Sequence, residues 1–385
     1  MFWQTKKIGG TFDRITDSIV PTNRPDEEFR FIGLENIESG TGNLQEMKLI
    51  LGKIIRSNKT IFKKGDVLYG KLRPNLNKVW LAEFDGICST DIWALRAKPT
   101  QIIPCLLAAL LRQSKIVNQV SAGMSGANLP RANKDAFDNI AISLPPLEIQ
   151  KKIVGRLDGI AEAQKVNDQL IEKTDELFQS LLHRELDAST KDWEMKRIQD
   201  IAEVRSGFGF PMSFQGSNHG AIPFYKVSDM NLPDNEIIMS VHNHSITESQ
   251  VETLKYNPAP AGTIIFPKIG AAIGTNKKRI LSRESLYDNN VMGLIPNKNV
   301  LSQYLYFWLL KFNISLWASE SMPPSIKKSA VEKFIISLPP IKVQKQIVAK
   351  LDAVQQYKTQ LLAQKTKLKE LFDSVLAKSM KGEMD

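Results

Sequence analysis

One stretch constrains the fold more than any other. ISLPPLEIQKKIVGRLD at 142–158 returns as ISLPPIKVQKQIVAKLD at 336–352, an offset of 194 residues. Laid over one another without a gap, residues 143–187 and 337–381 share sixteen identities in 45 positions, among them Pro145/Pro339, Pro146/Pro340, Gln150/Gln344, Asp158/Asp352 and Phe178/Phe372. Such a match is a duplication, so the 385-residue chain is built from two related halves.

In each copy a β-type run, NIAIS or FIIS, ends in a double proline. Proline suits the first turn of a helix, where its missing N–H has no partner anyway, so helices should start near Leu147 and Ile341. Steps of four and three residues from there carry an apolar seam through Ile153, Leu157, Ile160, Ile171, Phe178 and Leu181. The second copy places Ile347, Leu351, Val354, Leu361, Leu368, Phe372 and Val375 on the same steps. Heptad spacing held this long predicts helices of about 40 residues and about 60 Å.

Neither helix can bury its seam alone. Paired antiparallel about their midpoints, they would put Ile153 near Val375, Leu157 near Phe372, Phe178 near Leu351 and Leu181 near Ile347, with the polar Gln164, Asn167, Lys358 and Lys365 in the middle fixing register. The competing arrangement packs each helix only on its own globular neighbour.

The segments between the repeats are of nearly equal length and open alike, on FWQTKKI and DWEMKRI. Each then shows an alternating β pattern, FRFIGLENI or IPFYKVSDM, and a glycine turn that matches Gly65 with Gly262 and Lys71 with Lys268. The expected fold class is α+β: two α+β domains, residues 1–142 and 191–336, joined by two long antiparallel coiled-coil helices, 143–190 and 337–385, as a pseudo-two-fold tandem repeat.

A common frame with divergent loops is what two recognition modules with different targets would show. The charge of +10 and pI near 9.3 favour a polyanionic partner. Residues 48–65 hold six Lys or Arg and no acid, and 261–283 hold five and no acid. The candidate DNA contacts are Lys71, Arg73, Asn75, Asn77 and Lys78 in the first half and Lys268, Asn276, Lys277, Lys278 and Arg279 in the second, since lysine and arginine bind phosphate and arginine and asparagine reach base edges. A second basic stretch precedes each repeat, at Arg131 and Lys134 and at Lys327 and Lys328. A solvated basic face accounts for any one of these residues equally well.

No catalytic motif emerges. NPAP at 257–260 and MPPS at 322–325 lack the aromatic of an adenine-methyltransferase loop, and GAAIGTNKK from Gly270 lacks the spacing of a P-loop. Asp26, Glu46 and Lys48 faintly mimic a metal-dependent nuclease but have no counterpart in the second half. Cys88 and Cys105 form no metal knuckle and read as reduced core thiols; His242 and His244 lack a completing ligand, so no metal site is expected. Without a run of about 20 apolar residues or a signal peptide, the chain is expected in the cytoplasm with no membrane partner.

The whole plan resembles the specificity subunit of Type I restriction-modification enzymes, whose members carry two recognition domains, each followed by a long helix entered through LPPxxxQ, as SLPPLEIQ and SLPPIKVQ do here. The resemblance spans essentially the full chain. It implies that each domain reads one half of a split target in double-stranded DNA, that the paired helices set the gap, and that two methyltransferase subunits dock on them. It implies further that restriction subunits join the full complex, that the chain is not an enzyme, and that it holds no cofactor: S-adenosylmethionine, and ATP with Mg²⁺, belong to its partners. The alternatives are a self-sufficient nuclease, which would cleave with Mg²⁺ alone, and a coiled-coil scaffold without DNA binding, which would show no salt-dependent retention on duplex.

Overall fold

A computed structural model describes residues 3–45, 47–124 and 129–383. The chain forms two compact units, Met1–Gln169 with Leu362–Asp385 and Leu170–Leu361. Each unit therefore contains one globular segment and half of each long helix.

In the first unit a four-stranded antiparallel sheet runs in the order Phe12–Arg14, Ile92–Ala97, Val67–Gly70, Val79–Leu81. A five-stranded sheet, Ser18–Ile19, Lys59–Phe62, Gly86–Cys88, Glu28–Ile32, Leu49–Leu51, includes one parallel pair, Glu28–Ile32 with Gly86–Cys88. The second unit repeats the first sheet as Ala202–Ser206, Val291–Pro296, Ile264–Pro267 and Arg279–Leu281, with Ile238–Met239 added parallel at the edge. The matched glycines turn the chain into this sheet at φ of 90° for Gly65 and 84° for Gly262, and their N–H groups donate to Ala82 O and Leu281 O at the same rung. The mixed α+β class and the mostly antiparallel sheets are as the patterns predict.

The long helices run from Leu147 to Glu185 and from Ile341 to Lys381. Pro146 O accepts from the N–H groups of Ile149 and Gln150, and Pro340 O from those of Val343 and Gln344, so the second proline of each pair supplies the first helical acceptor. In the first unit Ile153 and Leu157 are buried with Leu376 and Met380, and Phe372 and Val375 pack against them. In the second unit Ile347 and Leu351 are buried with Leu182 and Leu186, with Phe178 and Leu181 against that cluster. In each unit the start of one helix lies along the end of the other, which is antiparallel order. Leu361 is buried, and Ile160, Ile171, Val354 and Leu368 are half-buried.

Lys365 and Lys358 do not sit as polar interruptions inside the seam. Their long stems carry the ammonium groups out to Asp168 (2.8 Å) and Asp175. The apolar residues off the seam face the globular segments: Ile149, Val154 and Leu376 join the first core, and Val343, Val348 and Leu182 the second. Every helix half is thus packed on two sides, against its partner and against a domain.

What couples helix to domain is the glutamine of the repeat. Gln150 is 1% and Gln344 0% exposed. Gln150 Nε2 donates to Gln101 O (2.9 Å) and Pro145 O (2.8 Å) while Oε1 accepts from Ile103 N (3.0 Å). Gln344 repeats all three bonds on Asn299 O, Pro339 O and Leu301 N at 3.1, 2.9 and 2.9 Å. A primary amide has two donors and an acceptor to satisfy in place, and in each half it clamps the helix entry to the start of a domain helix, Pro104–Arg112 or Ser302–Lys311.

Candidate nucleic-acid interface

The basic stretches that the sequence separates are stitched together in space. In the first unit the strand Val67–Gly70 runs on into Lys71, whose N–H donates to Asp91 O and whose carbonyl accepts from Ala132 N at 2.8 Å. Leu72 then bridges Arg131, and Arg73 N donates to Pro130 O. Arg73 takes up a left-handed φ of 50° and starts a single 3₁₀ turn, Pro74–Leu76, which Asn77 closes at φ 51°. Arg73, Asn75, Arg131 and Lys134 are exposed along this two-segment ridge, and Lys71 is half-buried beside them.

The second unit builds the same ridge from different residues. Lys268 N donates to Asn290 O, Ile326 N to Lys268 O, Ile269 bridges Ser325, and Gly270 N donates to Pro324 O. A longer 3₁₀ segment, Gly270–Thr275, follows and is closed by Asn276 in the left-handed region. Here the exposed cations are Lys327 and Lys328. Lys268 Nζ is drawn inward to Ser206 Oγ (3.1 Å), and burial lowers its pKa against the opposing pull of Asp288.

Five of the expected contacts bond within their own domain. Asn77 Nδ2 donates to Arg112 O at 2.9 Å, and Lys78 Nζ to Leu34 O at 2.6 Å. Asn276 Oδ1 accepts from Ile314 N and from Lys278 Nζ, which also donates to Phe312 O. Arg279 spends its guanidinium on Lys278 O and Met230 O. These side-chain bonds hold the loop to its own domain and shape the ridge. Lys277 is half-buried and paired with Asn231.

Lys278 is the strongest case, at 1% exposed with its pKa lowered by burial to about 8. Below that pH the folded protein carries a buried ammonium; above it the folded state releases the proton while the unfolded chain holds it up to the ordinary value of 10.5. Stability should therefore rise with pH between about 8 and 10.5 relative to a Lys278→Met variant. Denaturant melts of both proteins at pH 7 and pH 10 measure this, and an unchanged difference would rule it out.

The ridge is basic but not unbalanced. Arg131 Nε and Nη2 lie 3.3 and 3.2 Å from Asp91 Oδ1, a partner that the run of bases in the sequence hides. Among the described residues no acid pairs with the exposed Lys327 side chain, whereas Lys328 lies 3.5 Å from Glu332.

Asp26 is exposed on a turn where neighbouring Pro25 O accepts from Lys53 N, and Glu46 lies outside the described residues. His244 Nδ1 accepts from Gly216 N, and burial lowers the pKa of both His242 and His244. Among the described residues no group of three or more His, Cys, Asp or Glu is placed to hold a metal, and no helix is long and apolar enough to cross a membrane.

Comparison with known proteins follows this doubled plan. The chain is 30% identical to the Escherichia coli Type I restriction enzyme EcoDI specificity subunit over 44% of its own length, and that match spans 39% of the relative. It is 20% identical to the Escherichia coli K12 EcoKI specificity subunit over 93% of this chain and 83% of that one. A solved structure concerned with assembly and conformational transition of the type I R-M system matches all of this chain and 98% of its own, at TM-score 0.69 and 23% identity. The HsdS subunit from Thermoanaerobacter tengcongensis matches 99% of this chain and 97% of its own, at TM-score 0.52 and 23% identity. The family model for the Type I restriction modification DNA specificity domain matches twice, at residues 2–173 and 190–370, once for each half of the duplication, and the chain belongs to that family.

Proposed function

We propose that this chain is the address-reading subunit of a Type I restriction-modification complex. Residues 1–142 and 191–336 each grip one half of a bipartite target in double-stranded DNA, and the helices of 143–190 and 337–385 set the gap between the halves. The observation that carries this reading is the ridge built twice on one hydrogen-bond plan with different side chains: Arg73 and Arg131 in one unit, Gly270 and Ser325 at the matching positions of the other. One frame with two chemistries suits two different half-sites.

Catalysis rests with partners. Two methyltransferase subunits supply S-adenosylmethionine chemistry, and restriction subunits bring ATP and Mg²⁺; this chain contributes neither a nucleophile nor a cofactor site, and it works in the cytoplasm where the DNA is. Val166, Leu170, Leu177, Tyr357, Leu362 and Leu371 are exposed on the long helices. We assign these apolar side chains to the methyltransferase contact, because exposed apolar surface on a paired helix is otherwise a liability.

Retention on duplex DNA tests the reading. Affinity should fall steeply with salt, and the Lys327→Ala/Lys328→Ala variant should flatten the log–log slope by about 2, since each phosphate contact contributes about 0.9. Adenine-methylation mapping in cells holding this chain and its methyltransferase should return the same two-part site for both proteins. Salt-independent or absent binding would overturn the proposal.

A further inference from the structure

The turn from Ala318 to Ile326 in the second unit is held by its own side chains. Ala318 bridges Ile326, and Ser319 N donates to Ser325 O at 2.9 Å. Ser319 Oγ lies 2.7 Å from Ser321 Oγ and donates to Ser325 O (3.0 Å), while Ser321 Oγ donates to Pro323 O (3.0 Å). At the tip stands Met322, 95% exposed.

A single exposed apolar side chain is ordinary on a protein surface. This one differs in two respects. It projects from a braced turn followed by Pro323 and Pro324, so little backbone entropy remains to be lost on binding. The turn is also bonded onto the basic ridge, through Gly270 N to Pro324 O, Ile269 to Ser325 and Ile326 N to Lys268 O, and Lys327 and Lys328 follow at once. Glu320 is the one acid in the turn, against those three lysines.

We propose that Met322 is an apolar wedge that enters a base step of the half-site gripped by the second unit. The proposal rests on the DNA-recognition reading above. The exposed Lys327 and Lys328, taking up phosphate beside the turn, bring the tip to the groove, and an unbranched thioether fits between two partly unstacked bases. Such a wedge favours a pyrimidine–purine step, which unstacks most easily, and so adds sequence preference at a position that receives no hydrogen bond.

The test uses the chain assembled with its methyltransferase, on duplexes carrying the mapped target. Each purine of either strand in that half-site is replaced in turn by a fluorescent analogue, 2-aminopurine for A and 6-methylisoxanthopterin for G. On binding, one position other than the methylated adenine should brighten several-fold. Met322→Ala should lose that signal and weaken binding about tenfold, Met322→Leu should retain it, and Lys327→Ala/Lys328→Ala should weaken binding yet keep the signal once bound. Tight binding with no such position, or brightening that survives Met322→Ala, overturns the wedge and leaves DNA recognition standing. Failure of the complex to bind duplex at low salt overturns both.

Discussion

Seven residues added to each long helix, between Gln169 and Leu170 and between Leu361 and Leu362, should widen the gap between the two methylated half-sites by up to about three base pairs. The insertion points are where the chain passes from one compact unit to the other, so neither globular core is disturbed. Seven residues bring an α-helix back to nearly the same face, with a drift of about 20°, and the seam stays continuous. They add about 10 Å at 1.5 Å per residue, against 3.4 Å per base pair.

Rotation makes three an upper bound. Each added base pair also turns the DNA by about 35°, because one helical turn takes about 10.5 pairs, and a rigid spacer does not follow that turn. Part of the added length is therefore absorbed by twist, and affinity should fall even where the wider gap is accepted. Insertion into one helix alone should abolish methylation, since the pairs Lys365–Asp168 and Lys358–Asp175 can then no longer both form and one seam is offset by two turns. Sequencing of modified adenines measures both cases; an unchanged gap in the double insertion would exclude the helices as the spacer.

The long-range frame was legible because it is written in period and repetition. Heptad steps from Ile153 to Leu181 and from Ile347 to Val375, with Pro145, Pro146, Pro339 and Pro340 before them, lead to helices at Leu147 and Ile341 from pattern alone. The recognition loops were legible only as charge. Charge says nothing of which way a side chain turns, and Lys278 reads in the sequence like any loop lysine although it is buried, with its ammonium group donating to Phe312 O. The pairing of Lys71 with Ala132, and of Lys268 with Ile326, brings residues together across long loops, which no local period reports. One signal did exist: the repeat's 194-residue offset extends back to Pro130 and Pro324, the residues that accept from Arg73 N and Gly270 N.

Gln344→Leu should destabilise the second unit by about 2 to 5 kcal/mol, because the polar groups it leaves unpaired cost about 1 to 3 kcal/mol each. Leucine fills a similar volume, so the loss reads the hydrogen bonds and not a cavity. Pro339 O, buried, and Leu301 N, partly buried, carry most of it; Asn299 is exposed and water can replace the amide there. Gln150→Leu should do the same to the first unit through Pro145 O and Ile103 N. Gln344→Glu separates donor from acceptor: its carboxylate still accepts from Leu301 N but faces two carbonyls with no proton to give, so at neutral pH it should be worse than leucine. Burial raises such a carboxyl's pKa, and as pH falls through it the regained O–H can donate to one of those carbonyls and part of the stability should return. Urea melts across pH 5 to 8, with hydrogen exchange on Ser302–Lys311 as the local probe, resolve these cases. A leucine variant within about 0.5 kcal/mol of the parent, the range of an ordinary surface change, would show that the glutamine kept in both copies does not hold helix to domain.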